Sequence, residues 1–307
     1  MTKSRNLPEN AIHIQAYADL QNYARAFAEG HLNFLMLLGP PGTGKSRCFQ
    51  DAMGQNVCWI DGNATAFGIY VHAHENRDHP IVLDDVDGLY RDRNGVRLLK
   101  SLCQSETLKT LSWCSDSRTL EKRQIPKRFT TTSRVAIIAN EWRTLNCDVL
   151  ALEDRGHVIY FDPPPVEVHR RAGIWFWDQE IFDFVGEHLH HFVQHSLRTY
   201  RLAWEQKRAG LDWRNVVLNR CLSGNTLVVA RLKSNPKYAT EEERAKAFVE
   251  GGHGSRSTYF NHAKKLPSRR PVPKITLTSD VPSDTAREDG SSMLDLLRER
   301  FGDLGSG

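Results

Sequence analysis

LNFLMLLGPPGTGKSRCFQDAM, residues 32–53, decides the fold of this chain. Leu32 to Leu38 is almost wholly apolar and lacks polar alternation. Both of its faces therefore need cover, as in a parallel strand with helices on either side. It runs straight into GPPGTGKS, Gly39 to Ser46, which fits G-x-x-x-x-G-K-[ST]. Ser46 to Met53 then reads as helix. Gly39, Gly42 and Gly44, with Pro40, Pro41 and Thr43 between them, let the backbone curl until its N–H groups converge on a phosphate. The N-terminus of the next helix adds partial positive charge. Lys45 is placed to neutralise the β- and γ-phosphates, and Ser46 to ligate Mg²⁺. The strand before the loop and the helix after it separate this reading from a chance glycine-rich turn.

Outward from the loop, residues 11–30 read as an amphipathic helix ended by Gly30. Val57 to Asp61, Ile81 to Leu83, Arg134 to Asn140 and Val158 to Phe161 read as further strands. Strands alternating with helical stretches indicate an α/β layered fold with a mostly parallel sheet. The run Ile81-Val82-Leu83 ends in Asp84-Asp85, which sets two carboxylates at the sheet's C-terminal edge, where ligands of open α/β sheets bind. Asp84 is expected to hold Mg²⁺ through its water shell, and Asp85 to orient or deprotonate the attacking water. Asn140, at the end of RVAIIAN, is expected to contact the γ-phosphate or position that water. Asparagine also commonly terminates strands. Pro163-Pro164-Pro165 closes this first region.

The chain of 307 residues carries 25 % charged and 40 % hydrophobic residues, ordinary values for a globular protein of two or three domains. No run of about 18 apolar residues exists, so no membrane span is expected. MTKSRNLPEN lacks the apolar stretch of a secretory signal. Six scattered cysteines without a CxxC pair argue against structural zinc and disulfides and fit a reducing cytoplasm. The net charge of +4 is uneven. Residues 196–274 hold 17 Lys and Arg against 6 Asp and Glu, whereas residues 275–307 hold 3 against 7. A basic block of this size suggests a polyanionic partner, nucleic acid first; a solvated basic surface is the plainer reading.

GPPGTGKS, IVLDD, VAIIAN, and ALEDRG before VIYFDPP, in this order, resemble the core of AAA+ ATPases over roughly residues 33–165. The resemblance implies ATP as the nucleotide and a P-loop NTPase three-layer core followed by a helical lid. It gives Asn140 the sensor 1 role. It makes Arg155 an arginine finger acting on a neighbour's γ-phosphate, and hence a homo-oligomer, ring or spiral. Arg198, near the start of a lid helix, resembles a sensor 2 arginine facing the nucleotide. One departure is clear: the second acidic motif usually ends Asp-Glu, and here it is Asp84-Asp85, a pair also found in superfamily 3 helicases of viruses and plasmids. The shorter second acid bears on hydrolysis rate more than on nucleotide binding.

Between the acidic motif and Asn140, residues 109–129 read as a hairpin or loop insertion made basic by Lys122, Arg123, Lys127 and Arg128. In the related superfamily 3 helicases such a hairpin contacts DNA in the central channel. A basic surface loop packed on a neighbouring subunit is the alternative. Further on, residues 178–196 and 197–210 read as lid helices. Glu241 to Glu250, the turn Gly251-Gly252-His253-Gly254, and Ser255 to Leu266 resemble a helix-turn-helix. There Arg256, Ser257, Thr258, Asn261 and His262 would face bases or phosphates, while Tyr259, Phe260 and Leu266 pack inside. Lys264, Lys265, Arg269 and Arg270 would contact phosphate; a plain helical hairpin finishing the lid is the alternative. His191 and His195 have a spacing that a helix can use for zinc, but no suitable acid lies between them, and they read as packing or surface residues.

The expected organisation is an N-terminal helix (1–30), a nucleotide-binding core (31–165), a helical lid (166–235), a small helical C-terminal unit (236–270) and a disordered acidic tail (271–307). Met293, Leu296, Leu297 and Phe301 share one helical face of the tail, and residues 291–301 are a candidate docking peptide for a protein partner. The functional expectation is an ATPase acting on DNA, a replication helicase or helicase-loader-like motor of a mobile element. A protein-remodelling or regulatory ATPase without direct DNA action is the alternative, weakened by the lack of a clear aromatic-hydrophobic pore loop after the second strand.

Overall fold

The computed structural model describes residues 7–115, 117–140, 152, 154–176, 178–192 and 194–266. In chain order the core comprises β1 (Ile12–Ile14), α1 (Tyr17–Glu29), β2 (Phe34–Leu38), α2 (Lys45–Met53), β3 (Cys58–Asp61), α3 (Ala66–Glu75) and β4 (Ile81–Asp84). It continues with α4 (Asp87–Arg91), α5 (Arg93–Leu102), β5 (Lys109–Ser112), α6 (Arg118–Lys122), β6 (Arg128–Thr131), β7 (Val135–Ala139) and β8 (His157–Phe161). Helices follow: α7 (Pro165–Trp175), α8 (Gln179–Glu187), α9 (Arg198–Arg208), α10 (Trp213–Cys221), α11 (Gly224–Ser234), α12 (Glu241–Glu250) and α13 (Arg256–Ala263).

Six strands form one sheet in the order β1-β8-β2-β7-β4-β3, every neighbouring pair parallel. The apolar runs account for it. β2 and β7 are buried at every residue. Phe34, Met36 and Leu38 pack with α3, α5 and the β5–β6 hairpin, whereas Leu35 and Leu37 pack with α1 and α2. Alternate side chains of one strand thus feed two apolar layers, which makes the core three-layered. The sheet order also positions the site. β7 lies between β2 and β4, with Leu38 beside Ala139 and Asp84 beside Ile138. The residues that leave these strands, Gly39, Asp85 and Asn140, emerge side by side at one edge.

Residues 11–30 do not form a single helix. Ile12–Ile14 pair with Ile159–Phe161 as an edge strand, and the helix begins only at Tyr17. Ile12 and Ile14, β-branched and two residues apart, share one face only as a strand, and the open edge of β8 receives them. Gly30 does end α1, in a left-handed conformation. The insertion is antiparallel, β5 on β6, and its tip carries the short helix α6. Tyr70 of α3 holds it through ring contacts with Trp113 and Phe129 and a 2.9 Å hydrogen bond to the Pro126 carbonyl.

The helical region corrects one expectation. Residues 178–196 are not one helix: α8 ends at Glu187, where His188 Nδ1 meets the Phe184 carbonyl at 2.8 Å, and a single 3₁₀ turn follows over Leu189–His191. His191 and His195 therefore do not share a helical face. Packing runs across the expected boundary at 235. α11 packs with α12 and α13 around Val229, Ala230, Ala245, Phe248 and Tyr259, so the C-terminal unit has three helices, joined by Leu218 and Leu222 of the α10 end. Thr240 and Glu243 form a capping box on α12, and Ser255 caps α13. Phe260 is only partly buried, unlike Tyr259 and Leu266. Residues 267–307, with Arg269, Arg270, the acidic tail and the 291–301 peptide, lie outside the described residues. Among the described residues no helix is long and apolar enough to cross a membrane.

Candidate functional site

The loop from Gly39 to Ser46 leaves β2 and enters α2 as expected. Gly44 caps α2 at φ +81°, and a Cβ there would lie 2.5 Å from the Trp175 ring. Gly42, at φ +76°, would meet the Ser196 hydroxyl at 2.1 Å. Both positions need glycine twice over, for conformation and for the close approach of the lid. Lys45 is buried, and its Nζ donates to the carbonyls of Gly39 and Pro40 at 2.8 Å each and to Asn140 Oδ1 at 3.2 Å. Pro40 and Pro41 explain why those two carbonyls face inward. Their peptides carry no N–H, so turning them toward the ammonium removes no phosphate donor.

At the sheet edge the acids take different surroundings. Asp85 sits at φ +51°, a left-handed conformation that aspartate tolerates, with its N–H bonded to the Ile138 carbonyl. Asn140 Nδ2 donates to Asp85 Oδ1 at 2.9 Å. The amide orientation follows from chemistry, since Lys45 only donates and a carboxylate only accepts. Lys45, Asn140 and Asp85 thus form one hydrogen-bonded line from the loop to the acidic motif. Asp84 is half-buried, and its buried Oδ1 has no hydrogen-bond partner among the described residues. Burial raises its carboxyl above the usual range, against the lowering effect of the Ser46 hydroxyl beside it. An unpartnered carboxylate oxygen next to a hydroxyl is a hard-oxygen donor set, the kind that suits Mg²⁺.

The lid closes over the loop. The Leu197 N–H donates to the Gly42 carbonyl at 2.8 Å, and Tyr17 of α1 donates its hydroxyl to the Thr43 carbonyl at 2.6 Å. A cleft of about 310 Å³ remains, lined by the loop, Asp84, Asp85, Asn140, Trp175, Phe176, Arg198 and Arg201, with Arg47 and Gln50 of α2. Arg198, at the start of α9, thus lines the same cleft as the loop. Trp175 lies between two guanidinium groups, Arg47 at 4.6 Å and the buried Arg171 at 4.7 Å. Sequence reasoning missed Tyr17, Arg47, Trp175 and Arg201. They come from four separate elements, α1, α2, α7 and α9, and only the packing of the lid brings them together.

Arg155 is elsewhere. It precedes β8, whose His157 pairs with Leu35, so it lies at the opposite edge of the sheet. That is roughly 20 Å along the strands from the loop. It donates to the Lys100 carbonyl and takes no part in its own chain's cleft. On the hairpin, Arg123 pairs with Glu75 at 2.9 Å, while Lys122, Lys127 and Arg128 are exposed. On α13, Arg256 is held by Glu242 and stacks over Phe260, while Asn261, Lys264 and Lys265 are exposed and Thr258 is half-buried.

Behind the lid's contact with the loop lies a buried polar network. The Tyr200 hydroxyl bonds His169 Nδ1 at 2.7 Å and His195 Nε2 at 2.8 Å, and His169 stacks on Phe182. Burial pushes His169 down to about 4 and His195 down to about 3. Both are neutral when folded and gain protons more readily when unfolded. Their contribution is complete above the unfolded value near 6.5 and is lost as pH falls from there toward 3–4. Equilibrium unfolding is expected to lose about 2 kcal/mol per histidine between pH 7 and pH 5. A flat stability profile over that interval would contradict the neutral, buried assignment.

No protein-family model matches the chain, and no curated protein matches it. Among solved structures it is similar to the FIGL-1 AAA domain in complex with ADP, at 14 % identity over 80 % of this chain and 92 % of that one, with a TM-score of 0.37. It is similar to NtrX from Brucella abortus in complex with ATP, at 12 % identity over 85 % and 69 %, with a TM-score of 0.40. A structure of katanin self-assembly is similar at 15 % identity over 84 % and 85 %, with a TM-score of 0.31.

Proposed function

We propose that the chain is an AAA+ ATPase that binds Mg·ATP at Gly39–Ser46, works as a homo-oligomer and acts on DNA as a helicase or helicase-loader-like motor of a mobile element. The observation that carries the ATPase reading is the convergence of Lys45, Asn140 and Asp85 in one hydrogen-bonded line, beside the unpartnered oxygen of Asp84. A cation, a positioning amide, a base and a metal ligand come from residues 45, 140, 85 and 84, and the sheet order brings them to one edge. Lys45 and the loop amides hold the phosphates, and Asp85 takes the proton of the attacking water, held in line by Asn140. Ser46, and Asp84 through the ion's water shell, would hold Mg²⁺, which when bound neutralises phosphate charge. Arg198 faces the same cleft from the lid. Arg155, at the far edge, is suited to a neighbour's site rather than its own, which is the basis for the oligomer.

DNA action is supported by the basic balance of residues 196–274 and by a three-helix unit whose last helix leaves Asn261, Lys264 and Lys265 exposed. Lys122, Lys127 and Arg128 on the hairpin form a second basic surface. The test is ATP turnover with and without single- and double-stranded DNA. A several-fold change in rate or nucleotide affinity is expected. Replacing both Lys264 and Lys265 by alanine should weaken DNA binding about tenfold at moderate salt and reduce the salt slope by about 2. Arg256→Ala should matter less, because Glu242 already pairs that guanidinium. Indifference to DNA with stimulation by a protein would favour the remodelling reading instead.

A further inference from the structure

Hydrogen bonds from outside the phosphate loop end on two consecutive loop carbonyls, among them a long one from Ser196 Oγ to the Gly42 carbonyl at 3.4 Å. Leu197 N–H, from the lid segment before α9, meets the Gly42 carbonyl at 2.8 Å. Tyr17 Oη, at the start of α1, meets the Thr43 carbonyl at 2.6 Å. A trans peptide is planar, and its C=O and N–H point in opposite directions. Drawing the Gly42 oxygen toward the lid turns the Thr43 N–H the other way. Drawing the Thr43 oxygen toward α1 does the same to the Gly44 N–H. The neighbouring peptides behave oppositely. The Gly39 and Pro40 carbonyls face inward to Lys45, and those peptides have no N–H to aim. The loop therefore sorts its peptides: carbonyls inward where proline removes the donor, carbonyls pulled outward where a donor exists.

We propose that Tyr17 and the Leu197 amide are positioning groups, which aim the Thr43 and Gly44 N–H groups at the nucleotide phosphates and tie the grip of the loop to the posture of the lid. The proposal rests on the nucleotide reading of the loop. Tyr17 is well placed for the task. Its ring is buried in edge contact with Phe161 at 5.1 Å and Trp175 at 6.0 Å, with Arg171 stacked over it at 4.8 Å. The hydroxyl position is thus fixed by packing. The Leu197 side chain rests against Gly44, and His195, two residues earlier, is anchored by Tyr200. The lid segment therefore reaches the loop from a rigid base.

Tyr17→Phe removes the hydroxyl and keeps the ring. The Kd for Mg·ADP is expected to rise about tenfold, because the Thr43–Gly44 peptide is no longer held in the orientation that donates to phosphate and must be ordered on binding. KM for ATP should rise by the same factor with kcat within about twofold, because the amides hold ground state and transition state alike. The melting temperature without nucleotide should stay within a few degrees of the parent. A second variant replaces Leu197 by its α-hydroxy acid, so that an ester takes the place of the amide and only the N–H is lost. It should weaken Mg·ADP in the same way, and it decides the matter if Tyr17→Phe fails to fold. A folded variant with unchanged Mg·ADP affinity overturns the proposal. So does one whose weaker binding comes with a large loss of nucleotide-free stability, which marks a packing role. Failure of the parent protein to bind Mg·ADP would sink the nucleotide reading itself, a different and distinguishable outcome.

Discussion

Lys45→Ala is expected to lower ATP turnover by about three orders of magnitude, measured as steady-state phosphate release on the folded variant. The ammonium is buried and donates to two loop carbonyls and to Asn140. In the proposed nucleotide site, removing it deletes a buried positive charge that would face the triphosphate. It also releases the Gly39 and Pro40 carbonyls and frees Asn140 Oδ1, so the line that leads to Asp85 loses its first member. Nucleotide affinity should fall together with turnover. Arginine is not an adequate replacement, because its planar fork does not fit a cradle closed by two inward carbonyls. Unchanged turnover in Lys45→Ala would place hydrolysis at another site.

Asp85→Asn should give the second largest effect, with a different signature. Asparagine keeps the shape and can still accept the Asn140 hydrogen bond through its carbonyl oxygen, and it tolerates the left-handed backbone at this position. What is lost is the ability to take a proton. The expected result is a fall in kcat of about a hundredfold or more, with Mg·ATP affinity within a fewfold of the parent. A variant that loses affinity and turnover equally would make Asp85 a binding group rather than a base. The same substitution at Asp84 should separate the two acids. Asp84 has the unpartnered oxygen beside Ser46, so Asp84→Asn is expected to shift the magnesium requirement upward rather than act on kcat alone.

The phosphate loop was legible because its residue types are dictated one by one by chemistry, and because an apolar strand and a helix flank it. Asp84, Asp85 and Asn140 were legible for a related reason: each follows an apolar run short enough to be a buried strand. What the sequence did not carry was the spatial order of those strands. β7 lies between β2 and β4, and that alone brings the Asn140 amide between Lys45 and Asp85. Tyr17 left no signal, since a tyrosine on the apolar face of a helix reads as core. The hydroxyl at the ring edge is what reaches Thr43. Ile12–Ile14 were misread because three residues are too few for periodicity to separate strand from helix. The end of α8 was missed because the four histidines that follow have no strong preference, and buried partners such as Tyr200 decide their conformation. The partners of α11 were not legible because its apolar residues match either neighbour, and only the fold packs it with α12 and α13.

Every role proposed for this chain depends on one loop, with its inward ammonium and outward-drawn carbonyls, holding a nucleotide's phosphates. Calorimetric titration of the full chain with Mg·ATP under conditions of slow turnover, or with Mg·ADP, tests that most directly. A saturable transition with one site per chain, abolished or strongly weakened in Lys45→Ala, is the predicted result. Folded protein that takes up no Mg-nucleotide, or that binds it equally well without the Lys45 ammonium, would contradict it.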